Sequence, residues 1–116
     1  MIDFVILPVL VDKLVMEKKK PILILILTLM KILVEGEKAP HILLATAVLA
    51  RLNAHLLSKD DKIRELAALN LGSISYNMTG KEKTIDAKSI KPLCDMLHDK
   101  VPEVRTAATR ALASLA

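Results

Sequence analysis

The sequence predicts an all-α fold, a short right-handed solenoid of about seven helices arranged as two and a half to three repeats. Three observations lead there. Two segments of the C-terminal half superimpose at a constant offset of 41 residues. Their apolar positions recur every three or four residues, which is one face of a helix. The apolar mass is Leu, Ile, Val and Ala, with Phe4 and Tyr76 as the two aromatics. A helical unit repeating near 40 residues cannot bury its apolar face alone, so successive units stack.

The repeat is explicit in the text. KIRELAALNLGSIS from Lys62 lies over EVRTAATRALASLA from Glu103, pairing Ile63-Arg64 with Val104-Arg105, Ala67 with Ala108, Leu71 with Leu112 and Ile74 with Leu115. Upstream, Leu49, Leu52 and Leu56 pair with Ile90, Leu93 and Leu97 at the same offset, and each trio is expected to face the core. The links agree in type, SKDDK before Ile63 and HDKVPE before Val104. Ala67, Ala68, Ala107, Ala108 and Ala111 mark close helix crossings. Pro102 suits a first helical turn, where its missing N–H costs nothing. Asp60 or Asp61, and Asp99, sit where carboxylates cap helix starts.

Projected back by one period, the register lands on KKKPILILILTLMKILVEG, Lys18–Gly36. Ile22, Ile26, Met30 and Leu33 then take the core positions, and Lys18–Lys20 become the loop. The alternating Ile-Leu text favours a strand locally, but the register makes it a helix. Apolar on other faces too, this helix is expected to meet a neighbour at Leu25, Leu29 and Ile32. The units run approximately 1–35, 36–76 and 77–116. Gly36, and Gly80 with Asn77, read as helix stops, with a short helix following at about Lys81–Ala87. Gly72 falls inside a helix at a cost of about 1 kcal/mol against Ala, which predicts a helix packed closely against it.

Composition excludes several functions. The chain of 116 residues carries 17 basic and 13 acidic side chains, net +4; mean hydropathy is +0.41. The charges are interspersed and stacking aromatics are missing, against a nucleic-acid module. The run Ile22–Val34 is shorter than the roughly 20 apolar residues a membrane span needs. The single cysteine, Cys94, forms no disulfide framework, fits a reducing compartment, and reads as a buried thiol. His41, His55 and His98 stand apart with no ligand spacing to a Cys or carboxylate. No nucleophile elbow or phosphate loop is present, so neither enzyme activity nor a cofactor is expected. Arg64 and Arg105 recur at one repeat position and are expected to pair structurally with loop acids. Solenoids need polar caps; both ends here are apolar and are expected to stack on further protein.

IKPLCDMLHDKVPEVRTAATRALASLA, from Ile90 to Ala116, resembles the armadillo/HEAT repeat family: a Pro-started leucine helix, an Asp-containing loop, then Val-Arg-x-x-Ala-x-x-x-Leu. The resemblance covers essentially the whole chain and is strongest from Leu49 onward. It implies a non-enzymatic scaffold with a protein-binding concave face, which the register lines with Thr28, Ile32, Leu69, Ser73, Arg110 and Ser114. The importin-α branch reads basic nuclear signals with Trp and Asn at such positions; neither occurs here. The stretches KIRELAALNLGSISYNMTGKEKTI and LCDMLHDKVPEVRTAATRAL, with ILILILTLMKIL before them, look most like the radial spoke head proteins of cilia and flagella. That likeness implies a structural subunit of the axoneme, in the cytoplasmic cytoskeleton, with other spoke proteins as partners. The alternative is a cytosolic armadillo adaptor that holds a partner peptide in its groove.

Overall fold

The computed structural model describes residues 9, 10, 12–14, 16–34, 46–76 and 78–116. Its elements are α1 (Lys20–Val34), α2 (Thr46–His55), α3 (Asp61–Ile74), α4 (Met78–Asp86), α5 (Ile90–Asp95) with a 3-10 turn at Met96–His98, and α6 (Pro102–Leu115). The described residues at 9–16 are helical as well. No strand occurs among the described residues, and the architecture is a short armadillo/HEAT-type α-solenoid.

Three long helices, α1, α3 and α6, lie in sequence across the molecule. Their starts at Lys20, Asp61 and Pro102 keep the 41-residue period. α3 is the middle member and buries both sides: Ile63, Leu66, Ala67, Ala68, Asn70, Leu71, Gly72 and Ile74 are all out of solvent. α2 packs against it with Val48, Leu49 and Leu52, and Leu56 follows in the adjoining turn. α6 closes the stack with Val104, Ala107, Ala108, Ala111 and Leu115. One contiguous cluster runs from Leu10 and Leu14 through α1 and α3 to α6.

Small residues set the α3–α6 approach. A Cβ placed on Gly72 would stand 3.2 Å from the Ala111 Cα, so the two backbones nearly touch at that crossing. Alanines at 107, 108 and 111, all buried, let α6 come that close. Caps fix the ends: Asp60 accepts from the Lys62 and Ile63 backbone N–H groups at 2.9 and 3.1 Å, and Pro102 enters α6 in its first turn.

Four sequence expectations need correction. In α1 the inward stripe is Leu23, Ile26, Leu27 and Met30, whereas Ile22 is 39% exposed. Among the described elements α1 packs chiefly on α3, and that side selects the i, i+3, i+4, i+7 set beginning at Leu23. The side chain of Leu33 lies outside the described residues. In the third unit Leu93 and Met96 point inward while Ile90 and Leu97 are partly exposed. There the α-helix tightens into the 3-10 turn, whose 120° step swings Met96 in and Leu97 out. Cys94 is exposed, since those inward positions fall on the other side of α5. Gly80 is no helix stop: α3 ends at Ile74 with Ser75 as its cap, and Gly80 is buried inside α4, which starts three residues before the expected short helix. Gly36 and Asn77 lie outside the described residues.

Candidate functional site: the groove between the third and sixth helices

Along α3, Glu65 and Leu69 are one turn apart, and along α6, Pro102, Glu103, Thr106, Ala107 and Arg110 follow the same helical spacing. These seven residues line a shallow groove of about 320 Å³ between the two helices. Leu69 is half-buried and packs on the core, leaving its outer edge in the groove. Arg110 is exposed at one end, and Glu103 is exposed in the first turn of α6. The groove thus offers the Leu69 edge between Glu65 on α3, itself paired with Lys62 at 3.4 Å, and Glu103 and Arg110 on α6.

Of the six residues expected on a binding face, the groove brings Leu69 and Arg110 together. Thr28 and Ser114 are half-buried, and each hydroxyl donates back to its own helix, Thr28 Oγ1 to the Ile24 carbonyl at 2.7 Å and Ser114 Oγ to the Arg110 carbonyl at 3.2 Å. Ser73 is half-buried, and Ile32 is 59% exposed on α1, away from this groove. Sequence reasoning missed Glu65, Glu103 and Thr106. The signal was available: they sit one or two turns before Leu69 and Arg110 on the same stripes.

The loop edge holds the two repeat arginines. Arg64 donates through Nε to Asp99 Oδ2 at 2.9 Å and through Nη2 to Asp99 Oδ1 at 3.2 Å. Its Nη1 donates to the Ser58 carbonyl at 2.8 Å. Arg105 Nη1 donates to the Asp99 carbonyl at 2.7 Å. Each arginine therefore reaches the carbonyl six residues upstream, and Ser58 and Asp99 are themselves one period apart, so the repeat persists at the level of single hydrogen bonds. Asp99 also accepts from the Val101 N–H at 2.9 Å. Desolvation, the largest influence on this carboxyl, raises its pKa; the Val101 and Arg64 hydrogen bonds and the charges of Arg64 and Arg105 outweigh it and hold the group below its ordinary value. The open cleft over this edge, about 690 Å³, is lined by Lys20, Lys59, Lys100 and His98 together with these paired groups. Of its acids, Asp60 caps α3 and Asp99 pairs with Arg64, while Asp61 is exposed.

Chemistry beyond binding finds no constellation among the described residues. No group of His, Cys, Asp and Glu is placed to hold a metal ion. His55 is half-buried, with burial and then the Arg51 charge lowering its pKa; His98 is exposed and His41 lies outside the described residues. No described helix is long and apolar enough to cross a membrane.

Comparison with known proteins agrees with this architecture. The HEAT repeat family profile matches residues 90–116. The chain is similar to an engineered protein solved as a structural-genomics target, with a TM-score of 0.83 and 23% identity over 98% of this chain and 47% of that one. It is similar also to a designed armadillo repeat protein solved with a (KR)4 peptide, with a TM-score of 0.81 and 20% identity over 92% of this chain and 45% of that one. A third engineered protein gives 0.79 and 23% over 90% of this chain and 26% of that one. The chain spans less than half the length of each of these structures. No curated protein matches it significantly in sequence. These likenesses establish the fold.

Proposed function

We propose that this chain is a non-enzymatic scaffold that docks an extended segment of a protein partner along the α3–α6 groove. The observation that carries the reading is the juxtaposition of Leu69 and Arg110 in one groove, flanked by Glu65 and Glu103. An extended segment with an apolar side chain over Leu69 and a carboxylate facing Arg110 satisfies the Leu69 edge and the guanidinium together. A designed armadillo protein of the same fold was solved with a (KR)4 peptide, which supports peptide docking on this architecture. In this chain Arg110 repels a purely basic segment.

The assembly we assign it to is the axonemal radial spoke of cilia or flagella, with spoke proteins as partners and the cytoskeleton as its place. The assignment rests solely on the resemblance to spoke head proteins read from the ILILILTLMKIL, KIRELAALNLGSISYNMTGKEKTI and LCDMLHDKVPEVRTAATRAL stretches; the sequence comparison with curated proteins adds nothing to it. A cytosolic adaptor is the second reading, favoured by the open groove. Cross-linking mass spectrometry on pull-downs from the native source separates the two. Recovery of axonemal proteins, with cross-links from Lys62, which pairs with Glu65 of the groove, is expected; recovery of soluble transport factors alone overturns the spoke assignment.

A further inference from the structure

We infer that the outer face of α1 is a self-association surface, closed by the same face of a second copy in antiparallel orientation. Ile22, Leu25, Leu29 and Ile32 recur at i, i+3, i+7 and i+10, and are 39%, 63%, 46% and 59% exposed. The repeat shows what this face is for. One period on, Leu66 and Asn70 of α3 are 4% and 0% exposed, and Asn70 Nδ2 donates to the Leu27 carbonyl of α1. Two periods on, Ala107 and Ala111 of α6 are 1% and 0% exposed, the latter against Gly72 of α3. In both inner joints these positions meet the preceding long helix. In α1 the same positions are larger, apolar and open.

The occupant follows from complementarity. Head-to-tail stacking would lay the outer side of α6 on α1, but that side presents Arg105 and Thr109, both exposed. Thr109 Oγ1 donates to the Arg105 carbonyl and Arg105 Nη1 to the Asp99 carbonyl, but four aliphatic side chains would strip water from the guanidinium and offer its other N–H groups nothing in exchange. The stripe on α1 matches itself. About a two-fold axis Leu25 meets Leu29 of the second copy and Ile22 meets Ile32, the isologous arrangement expected of a dimer. Polarity gives the direction. Lys18, Lys19 and Lys20 crowd the start of α1, whose first turn contains no acid; against the one Glu17 carboxylate, which accepts from the Lys18 and Lys19 N–H groups, they leave a net positive charge that opposes the helix's own dipole. Antiparallel pairing sets them toward the negative C-terminal end of the second α1, where cations are favoured and where one lysine, Lys31, stands in the last turn. Parallel pairing would set lysines on lysines.

The test is the mass of the whole chain in solution. Light scattering after size exclusion should give twice 12.7 kDa at high micromolar concentration, falling toward 12.7 kDa on dilution. Leu25→Glu/Leu29→Glu should be monomeric at every concentration with the same helical circular dichroism, because both positions are exposed in the single chain. Leu25→Ser/Leu29→Ser, which adds no charge, should weaken dimerisation at least about tenfold, as lost apolar burial requires. In a Cys94→Ser background, mixing Leu25→Cys with Leu29→Cys chains should give the mixed disulfide in preference to either like pair. A wild-type chain that stays monomeric overturns the inference, as does a Glu double variant that still dimerises or a preference for like-pair disulfides. None of these outcomes involves the α3–α6 groove, so they stand or fall apart from the proposed docking role.

Discussion

At the scale of single residues, two positions decide how the third unit seats on the second. Gly72 gives up helix propensity so that α6 can approach; any side chain there must push against the Ala111 backbone, which cannot rotate away. Gly72→Val is expected to destabilise the chain by about 1–3 kcal/mol through overpacking. Gly72→Ala should also lower the melting temperature, although propensity alone would raise stability by about 1 kcal/mol; thermal unfolding by circular dichroism checks both. The second position is the Arg64–Asp99 pair, with side chains 18% and 13% exposed. Arg64→Met should cost about 1–2 kcal/mol, a charge-assisted pair discounted for its partial solvent access. The Asp99 carboxyl has a lowered pKa in the folded chain, so its contribution is present above the ordinary Asp value near 3.9 and fades as pH falls through the lower folded value. Chemical denaturation between pH 5 and about 2 should show this loss in the wild type and a shallower slope in Asp99→Asn.

At the scale of elements, the end of α4 offers a stabilising change. Lys88 is the described non-glycine residue with positive φ, at 63°. The Lys88 N–H donates to the Ile85 carbonyl and the Ser89 N–H to the Thr84 carbonyl, a Schellman motif with Lys where Gly normally stands. The turn is held from outside: Asn53 Nδ2 donates to the Ala87 carbonyl at 2.8 Å and Ser89 Oγ donates to Asn53 Oδ1 at 2.6 Å, tying it to α2. Lys88→Gly should therefore raise stability by about 0.5–1 kcal/mol, left-handed strain relieved minus glycine's extra entropy, read as a higher denaturant midpoint at unchanged slope. This motif also shows where sequence reading stopped. The long helices were legible because Ile63, Ala67 and Leu71 align with Val104, Ala108 and Leu112 over a full period. The breaks after α3 and α4 were not: Gly80 resembled a stop, yet α3 stops at Ser75, and the left-handed residue that ends α4 is a lysine, Lys88, which carries no local signature. Of the six residues the register put on one face, Leu69 and Arg110 line the groove and Thr28, Ile32, Ser73 and Ser114 do not. Leu69 and Arg110 followed from register, but which neighbours close the groove depends on the distance between α3 and α6, and that is set by Gly72 against Ala111 rather than by either helix alone.

At the scale of the whole molecule, the groove and the loop edge are independent surfaces joined by α3 and α6. Arg110→Glu should reduce capture of the native partner by about tenfold or more, reversing one interfacial charge, while leaving the unfolding midpoint unchanged because Arg110 is exposed; quantitative pull-down checks it. Leu69→Glu should also lose the partner, but with a lower midpoint, since Leu69 packs on the core. The two joints of the solenoid differ in kind. Between α3 and α6 the fit is steric, with a glycine notch receiving an alanine ridge. Between α1 and α3 the Asn70 amide donates to the Leu27 carbonyl at 3.0 Å and to the Leu66 carbonyl of its own helix at 2.9 Å, wholly out of solvent. Displacing α1 along α3 would break the bond to the Leu27 carbonyl and leave the one to Leu66, at a cost of about 1–3 kcal/mol for the N–H left dry. Pulled along its helices, the first joint behaves as a catch that holds until it slips, whereas the second can give gradually as its surfaces part.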